Sequence, residues 1–544
     1  MNHTHLNKTP FLGCEGVSVQ FFDRETPALS EMSVSIEEKE SVLLLGPSGS
    51  GKSTLALVLS GIIPRSVDAW MKGTVYRPDR VGVMFQDPDA QFCMMTVEDE
   101  IAFSLENRMV PPAEMRGRIE ALMKEVRLDV PLCRRINELS GGLKQRLALA
   151  CLLALEPDVL FFDEPTAQLD PENTRYVLED IRRLHGKKTL VLIEHKLDGA
   201  MEAVDRVLLF GSQGRIEGEG RPEDVLRDHA DAIKRYGIWT PRLWPVTWPE
   251  LLLPGHELGA SLTQQAARFE QRAVETQMEQ AVRKADAPLL AVQGGGLTYR
   301  SGLRVWSDVD VEVRPGEWVA VVGANGAGKS TFLKAVGGLH ELTEGKVLWK
   351  KKELKSYKSE ALYDAVGFVF QNPEHQFIAD TVYEEVAFGG KLAGWPQEQV
   401  QAETERLLVD FRLEELRGKN PFTLSQGQKR RLSVAGMLLK NQELLLLDEP
   451  TFGQDAATTE ELLQRLAERN GQGTTILMAT HDMEIVAAYA TRVLVFAEGG
   501  LLFDGQPQEL FARPDLLRHA SLNEPLAYEY KRRVREREEG AVHV

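Results

Sequence analysis

The sequence predicts an α/β protein made of two copies of one domain, each with a mostly parallel sheet flanked by helices. A glycine-rich stretch and several later motifs occur twice in the same order. Each glycine-rich stretch follows a short apolar run, at 41–45 and at 319–322. In both copies, apolar strand-like runs alternate with amphipathic stretches, a pattern typical of parallel sheets covered by helices.

Length and composition are those of a large globular protein. The chain has 544 residues, of which 43% are hydrophobic and 27% charged, so it can bury sizeable cores and is not a disordered chain. The 64 Lys and Arg face 81 Asp and Glu, which gives a formal net charge of −17. Because such an acidic surface repels a phosphate backbone, we expect no nucleic-acid partner.

No targeting or membrane-spanning segment is expected. The first residues lack the basic stretch and following apolar stretch of a signal peptide. The longest apolar runs, such as 147–155, have roughly half the length that a spanning helix needs. The four cysteines lie far apart without paired spacing, which predicts neither a disulfide framework nor a zinc site and fits a reducing cytosol.

The repeat sets the expected domain boundaries. After the first motif, the spacing between the copies lengthens by about eight residues near the lysine-rich stretch 349–359, which we interpret as an insertion in the second copy. We assign residues 1–237 to the first domain, 238–288 to a linker with a Trp/Pro cluster and a polar helix, and 289–544 to the second domain with a charged tail.

Each glycine-rich stretch has the form Gly-x-x-x-x-Gly-Lys-Ser, which after an apolar strand predicts a phosphate-binding P-loop. Backbone amides of such a loop surround the phosphates of a nucleotide at the N-terminus of the next helix. Lys52 and Lys329 would reach the β- and γ-phosphates, and Ser53 and Ser330 would bind Mg²⁺. The predicted ATP-binding residues of the two loops are Gly46, Pro47, Ser48, Gly49, Ser50, Gly51, Lys52, Ser53 and Thr54, and Gly323, Ala324, Asn325, Gly326, Ala327, Gly328, Lys329, Ser330 and Thr331.

Two adjacent carboxylates end an apolar run in each copy, as Asp163-Glu164 and Asp448-Glu449. We expect the first carboxylate, Asp163 or Asp448, to hold hydrated Mg²⁺. The second would face the γ-phosphate and polarise the attacking water, because phosphoryl transfer depends mainly on positioning and charge stabilisation. Glu164 and Glu449 are therefore predicted to be catalytic.

The stretch that precedes each carboxylate pair resembles the signature motif of ATP-binding cassette (ABC) ATPases. It reads Leu-Ser-Gly-Gly at 139–142 and Leu-Ser-Gln-Gly at 424–427, each with basic residues behind it. The order and spacing of all the motifs match that family in both halves. The resemblance implies two tandem P-loop NTPase domains, each with a helical subdomain that carries the signature motif, and an ATPase that uses ATP and Mg²⁺.

In ABC ATPases, the P-loop of one domain faces the signature motif of the other. The resemblance therefore implies that the two halves of this chain pair head to tail, that ATP binding closes the pair and that hydrolysis releases it. ATP on Lys52 would be covered by the second signature, and ATP on Lys329 by the first. The signature residues implied to bind ATP are Ser140, Gly141, Gly142, Ser425, Gln426 and Gly427.

Two further pairs of polar residues match the pattern of the family. His195 and His481 match the switch histidine that contacts the γ-phosphate, and they are implied to be catalytic. Gln86 and Gln371 match the Q-loop glutamine, which contacts Mg²⁺ and borders the surface that meets a transport partner.

Phe22 and Tyr299 stand where the family stacks an aromatic ring on adenine, although Phe21 adjoins Phe22 and either ring could belong to the core. Two positions depart from the signature pattern. Leu143 stands where glutamine is usual, and Gln426 replaces a glycine, so its side chain must point away from the phosphate or crowd it. We expect two hydrolysis-competent sites, and the sequence supports the competence of both more strongly than it supports equal rates.

The residues after each Q-loop resemble those of the energy-coupling-factor (ECF) importers. Gln-Phe at 91–92 leads into Thr-Val-Glu-Asp-Glu at 96–100, and Gln-Phe at 376–377 leads into Thr-Val-Tyr-Glu-Glu at 381–385. The resemblance implies uptake of a vitamin or of Co²⁺ or Ni²⁺, with thiamine or its hydroxymethylpyrimidine precursor favoured. It also implies a transmembrane T subunit that contacts this chain and a separate S subunit that binds the substrate, with the chain peripheral on the cytoplasmic side of the cell membrane.

A soluble tandem ABC ATPase that acts on the ribosome is the alternative. Such proteins usually carry a long, basic helical linker, whereas 238–288 is nearly balanced in charge and contains prolines and tryptophans. The sequence therefore favours the importer.

Three surface features complete the prediction. The carboxylates that begin the helix after each Q-loop are interpreted as an acidic patch for a basic partner, with a plain solvated face as the alternative. We expect Trp239, Trp244 and Trp248 to pack on the flank of the first domain, with an interaction surface as the alternative, and the tail 528–539 to be a solvated, frayed helix.

Overall fold

A computed structural model describes residues 10–22, 26–167, 169–211, 214–283 and 287–542. The chain divides into two compact units, one formed by Met1–Pro245 with Asp455–Ala457 and the other by Val246–Gln454 with Thr458–Val544. Each unit is an α/β domain with a mostly parallel sheet, as the sequence predicts.

The first unit contains a six-stranded sheet and a three-stranded sheet. Its strands are β1 (Leu12–Gln20), β2 (Leu29–Ile36), β3 (Ser41–Leu45), β4 (Trp70–Tyr76), β5 (Val81–Met84), β6 (Val159–Asp163), β7 (Thr189–Ile193), β8 (Arg206–Phe210) and β9 (Ile216–Gly220). Its helices are α1 (Lys52–Ser60), α2 (Ile62–Arg65), α3 (Val97–Glu106), α4 (Pro112–Glu125), α5 (Gly141–Ala154), α6 (Pro171–Leu184), α7 (Pro222–Asp228) and α8 (Ala230–Arg235). The larger sheet has the order β5-β6-β7-β3-β8-β9, parallel except for the last pair.

Alternation along the central strand explains why this sheet carries a core on each face. Leu43 and Leu45 belong to the core that includes the helical subdomain of α3, α4 and α5. Val42 and Leu44 belong to the opposite core, which includes α1 and the antiparallel sheet β2-β1-β4. Since successive side chains of a strand point to opposite faces, a fully apolar strand of this kind must be covered on both sides.

The second unit repeats this plan. Its strands are β10 (Leu290–Thr298), β11 (Arg304–Val313), β12 (Trp318–Val322), β13 (Glu344–Trp349), β14 (Lys352–Glu353), β15 (Val366–Val369), β16 (Leu444–Asp448), β17 (Thr475–Ala479), β18 (Arg492–Ala497) and β19 (Gly500–Gly505). Its helices are α9 (Trp248–Leu251), α10 (Glu257–Arg283), α11 (Lys329–Val336), α12 (Ser359–Ala365), α13 (Val382–Leu392), α14 (Gln397–Asp410), α15 (Gln426–Leu438), α16 (Ala456–Gly471), α17 (Met483–Tyr489), α18 (Pro507–Phe511), α19 (Pro514–His519) and α20 (Leu526–Val542). The strand orders are β15-β16-β17-β12-β18-β19 and β11-β10-β13-β14.

The insertion predicted near the lysine-rich stretch is confirmed. Strand β14 and helix α12 lie between β13 and β15, whereas in the first unit β4 runs on to β5 through a short loop. Strand β14 extends the antiparallel sheet of the second unit by one strand.

The structure corrects two expectations about the linker and the tail. Trp244 packs against the first core, as expected, but Trp248 lies in the second unit, where the guanidinium of Arg533 sits 4.3 Å from its ring centroid. The tail 528–539 is helical, as predicted, but it is not wholly solvated, because Tyr528 stacks on Phe269 of α10. The expectation of a solvated helix was wrong only for the start of the tail, because the many charged residues of this segment hid the packing ring of Tyr528 in the sequence, whereas 535–539 are exposed.

Within the described ranges, no helix is both long enough and apolar enough to cross a membrane. The four cysteines are free thiols, as their spacing predicts.

Candidate functional site

Both glycine-rich loops connect a central parallel strand to a helix. The first runs from β3 to α1 and the second from β12 to α11. Gly51 and Gly328 precede the helices with φ of 95° and 93°, the left-handed region that glycine enters without strain. A Cβ atom at Gly51 would lie 2.7 Å from the Ala28 carbonyl oxygen, so the close approach of the chain also requires glycine there.

The loop lysines fold back over their own loops. Lys52 Nζ donates to the carbonyl oxygens of Gly46 and Pro47 at 2.8 Å each. Lys329 Nζ donates to those of Gly323 and Ala324, at 2.8 and 3.0 Å. Each lysine therefore holds a buried positive charge at the mouth of its loop, where anionic phosphates would bind.

Each loop serine lies beside the first carboxylate of the same unit. Ser53 Oγ donates to Asp163 Oδ1 at 3.3 Å, and Ser330 Oγ donates to Asp448 Oδ1 at 2.9 Å. A hydroxyl and a carboxylate oxygen at this separation are ligands that Mg²⁺ takes together with phosphate and water, so these residues fit that ion.

Burial changes the proton affinity of these groups. It lowers the pKa of Lys52 to about 8, against the opposing charges of Glu164 and Asp163. It raises the pKa of Asp163 to about 6, with a further contribution from the charge of Glu164. The pKa of Asp448 is raised for the same main reason.

The second carboxylate of each pair occupies a strained turn and faces a histidine. Glu164 and Glu449 both have φ of 50°, an uncommon conformation for a residue with a side chain. His195 Nε2 lies 3.0 Å from Glu164 Oε1, and His481 Nδ1 lies 3.1 Å from Glu449 Oε2. Burial alone would raise the pKa of Glu164, but the hydrogen bond and charge of His195 bring it below its usual value.

The Q-loop glutamines differ between the units. Gln86 Nε2 donates to Glu164 Oε2 at 2.7 Å, which joins the glutamine to the carboxylate and histidine of the first site. In the second unit, the backbone carbonyl of Gln371 accepts a hydrogen bond from Arg430, whose pKa burial lowers to about 10.

The signature motifs also differ. Ser425 caps α15 reciprocally with Gln428, since the Gln428 side chain accepts from the Ser425 amide at 3.0 Å and the Ser425 hydroxyl accepts from the Gln428 amide at 3.4 Å. Leu143 takes the place of that glutamine in the first unit and packs against the core instead. The side chain of Gln426 is exposed. The two signature helices, α5 and α15, therefore differ in the side chains at their N-termini, as the differences between the two signature motifs predict.

In both units a lysine ties the signature helix to the segment behind the Q-loop. Lys144 Nζ donates to Asp89 Oδ2 at 2.6 Å, and Lys429 Nζ donates to Glu374 Oε1 at 2.5 Å.

The acidic patch predicted after the Q-loop is smaller than expected. Glu100 and Glu385 are buried, and each accepts two hydrogen bonds from backbone amides of the preceding segment. Thr96 and Thr381 cap the two helices as the pattern predicts. The last carboxylate of each run therefore fixes the loop rather than facing a partner.

The aromatic residues occupy different environments. Phe21 packs against the core and Phe22 is 80% exposed, so the ring available for stacking is that of Phe22. The hydroxyl of Tyr299 lies 2.8 Å from Thr331 Oγ1, at the start of the helix after the second P-loop.

One buried residue of the first site was not predicted. Glu194 accepts hydrogen bonds from the amide and hydroxyl of Thr166, at 3.0 and 2.7 Å. The only signal in the sequence was a mismatch between the repeats, in which Thr480 stands at the position of Glu194.

Comparisons with known proteins identify the family of the chain. A family described as "ABC transporter" matches residues 29–167 and 306–452. The chain is 39% identical to the "Putative HMP/thiamine import ATP-binding protein YkoD" of Bacillus subtilis, over 95% of this chain and 96% of that protein. It is 34% identical to a "Putative ABC transporter ATP-binding protein" of Methanosarcina acetivorans, over 95% of this chain and 89% of that protein.

Among solved structures, cbiO1 of Clostridium perfringens, described as part of the ABC transporter complex cbiONQ, is 32% identical. It covers 43% of this chain and 94% of its own, with a TM-score of 0.38.

Proposed function

The chain belongs to the ABC transporter family and is an ABC ATPase, and from this premise we propose that it powers a membrane importer with two MgATP sites. The match of the family to both halves confirms the family resemblance that the motifs indicated. The single observation that carries the proposal is the duplicated site, in which Glu164 faces His195 and Glu449 faces His481 at hydrogen-bonding distance.

The proposed roles follow the geometry of each unit. In the first, the P-loop amides and Lys52 bind the phosphates, while Ser53 and Asp163 would hold Mg²⁺, which would neutralise phosphate charge. Glu164 accepts a proton from the attacking water, and His195 fixes the orientation of that carboxylate. The second unit uses the corresponding residues Lys329, Ser330, Asp448, Glu449 and His481.

We propose that the halves act as a head-to-tail pair. The signature residues 425–427 then cover ATP on Lys52, and 140–142 cover ATP on Lys329. Closure on two ATP molecules and reopening after hydrolysis transmit free energy to the partner, because ATP binds the closed state more tightly than the open one and its hydrolysis products do not.

The proposed cargo is thiamine or its hydroxymethylpyrimidine precursor, with another vitamin, cobalt or nickel as the second candidate. The support is the import function in the printed name of the full-length relative from Bacillus subtilis, together with the ECF-like residues after the Q-loops. We propose a T subunit and a substrate-binding S subunit as partners, and a peripheral position on the cytoplasmic face. The ribosome alternative receives no support from the comparisons.

Separate Glu164→Gln and Glu449→Gln variants test the two sites. Each is expected to lower ATP turnover at least about tenfold at its own site, since general-base catalysis contributes roughly 10²–10⁴-fold. Steady-state turnover of both variants and of the double variant would be measured. A single variant that keeps the wild-type rate would mean that only one site hydrolyses ATP.

Copurification tests the importer. The chain would be isolated from detergent-solubilised native membranes and its partners identified by mass spectrometry. A small polytopic T-type protein with a second membrane subunit is expected, and the second would identify the cargo. Recovery of ribosomal proteins in place of membrane proteins would contradict the proposal.

A further inference from the structure

The turn that carries Glu164 is held by the end of the neighbouring strand β7. The amide of Glu164 donates to the Ile193 carbonyl at 2.9 Å. Two residues further on, the amide and hydroxyl of Thr166 both donate to Oε1 of Glu194, which directly follows β7. Three hydrogen bonds thus fix both sides of a turn whose central residue has a strained φ of 50°.

The same strand end also supplies the histidine of the site. His195 follows Glu194 and contacts the carboxylate of Glu164 at 3.0 Å. A carboxylate that holds the turn and a histidine that holds the side chain are therefore adjacent in sequence, and both act on the same glutamate.

The second unit lacks the carboxylate but keeps the fold. Thr480 stands in place of Glu194, and its hydroxyl accepts a hydrogen bond from the amide of Asp482 at 3.1 Å. The backbone contact is retained, since the amide of Glu449 donates to the Ala479 carbonyl at 3.0 Å. The fold therefore does not require an acidic residue at this position.

A buried acidic residue at this position also lowers the stability of the folded chain. Glu194 is only 4% exposed, and burial raises its pKa to about 7, with the charge of Glu164 adding to the effect. A buried carboxyl destabilises a protein unless hydrogen bonds compensate for lost hydration. The second unit has the same fold with a threonine at this position, so packing alone does not explain the glutamate. A role in the first ATP site explains it better.

We propose that Glu194 is a positioning residue that acts through Thr166 to hold Glu164 in its hydrolytic orientation, and that it makes the first ATP site differ from the second. This inference rests on the proposed role of Glu164. In this proposal Glu194 does not contact ATP.

The test is the steady-state kinetics of the full-length chain. In a Glu449→Gln background, where the second site is silenced, Glu194→Ala is expected to lower kcat about tenfold and to leave KM for ATP within about twofold. The reason is that two partly buried donors lose their acceptor while the P-loop is untouched. In the same background, Glu194→Gln should keep kcat within about twofold of its parent, since its amide oxygen can accept the same two hydrogen bonds. Thr480→Ala, at the matched position of the second unit, is measured in a Glu164→Gln background and should change kcat less than about twofold.

A double-mutant cycle with Thr166→Val separates positioning from loss of stability. If the two residues act as one contact, the double variant Glu194→Ala with Thr166→Val should be no slower than Glu194→Ala alone. Thermal unfolding of each variant identifies any that fails to fold, and Glu194→Gln still decides the question in that case.

A kcat in Glu194→Ala equal to that of its Glu449→Gln parent, equal losses in the Ala and Gln variants, or strictly additive losses in the cycle would each overturn the proposal. Glu164→Gln is measured beside them. If that variant keeps wild-type turnover, the proposed function of the site is wrong, whereas loss in Glu164→Gln with no effect in Glu194→Ala refutes only the positioning role.

Discussion

At the residue scale, the two sites bring charged groups together in buried positions, where the ionised form of a side chain is disfavoured. Asp163 lies against Glu164 at the end of an apolar strand, and Lys52 is buried nearby. Burial opposes ionisation of both signs, so the free site stores unfavourable electrostatic energy. Binding of phosphate and a divalent cation relieves it, which explains why such groups persist at functional sites.

We therefore predict that Asp163→Asn stabilises the nucleotide-free chain while it abolishes hydrolysis at the first site. The pKa of Asp163 is about 6 in the folded chain against 3.8 for an ordinary aspartate. The folded state then binds more protons between these values, so wild-type stability falls as pH rises from about 4 to 6.

The advantage of Asp163→Asn should accordingly be largest above pH 6, where the raised pKa corresponds to at most about 3 kcal/mol, and should shrink towards pH 4. Thermal unfolding across this range, without nucleotide or Mg²⁺, measures it. A variant less stable than wild type at pH 8 would contradict the expected cost of the buried charge.

At the element scale, helix α10 near the start of the second unit packs against the C-terminal elements of that unit. Tyr528 of α20 stacks on Phe269 of α10, with ring centroids 6.1 Å apart and planes 6° from parallel. Phe511 contacts Tyr528 on another side, at 5.0 Å. Arg272 of α10 donates to the Tyr489 carbonyl at 3.0 Å, so α10 is held by both ring packing and hydrogen bonds.

Phe269→Ala should destabilise the second unit by roughly 3 kcal/mol, because it removes a buried aromatic ring from this packing. Val274→Ala in the same helix is the control, since Val274 is 52% exposed and its loss should change stability by less than about 0.5 kcal/mol. Thermal or urea unfolding of the full chain measures both. Equal effects would mean that α10 does not pack in this way.

At the scale of the whole molecule, each unit has a core of its own. Two buried clusters of the first unit lie between Leu12 and Ile238, and a buried cluster of the second unit lies between Leu289 and Phe496. Since every member of each of these clusters comes from one unit, each unit has an apolar core of the kind that lets a domain fold on its own.

Expressed separately, residues 1–245 and 246–544 should each fold and unfold cooperatively. Neither half should reach more than about a tenth of the full-chain turnover at concentrations where it is monomeric, because the proposed head-to-tail pair completes each site. Mixing the halves should restore turnover in a concentration-dependent way. ATPase assays and calorimetry of the halves test this, and full turnover by one half as a monomer would contradict the head-to-tail proposal.

By itself, the sequence determined the duplication, the α/β fold and the positions of the loops and carboxylate pairs. These features are local: a strand, a glycine turn and a helix start are encoded by adjacent residues, and the second copy verifies each pattern. The insertion at β14 and α12 was visible for the same reason.

Only the tertiary structure decided contacts between distant segments. Glu194 meets Thr166 from another strand, Glu100 turns inward to two backbone amides, and α20 returns to pack on α10. Residue type does not reveal these outcomes. The sequence of a glutamate-containing segment or of a charged helix is compatible both with exposure to solvent and with contact to another segment. The choice depends on which buried donors or apolar rings the folded chain brings within reach.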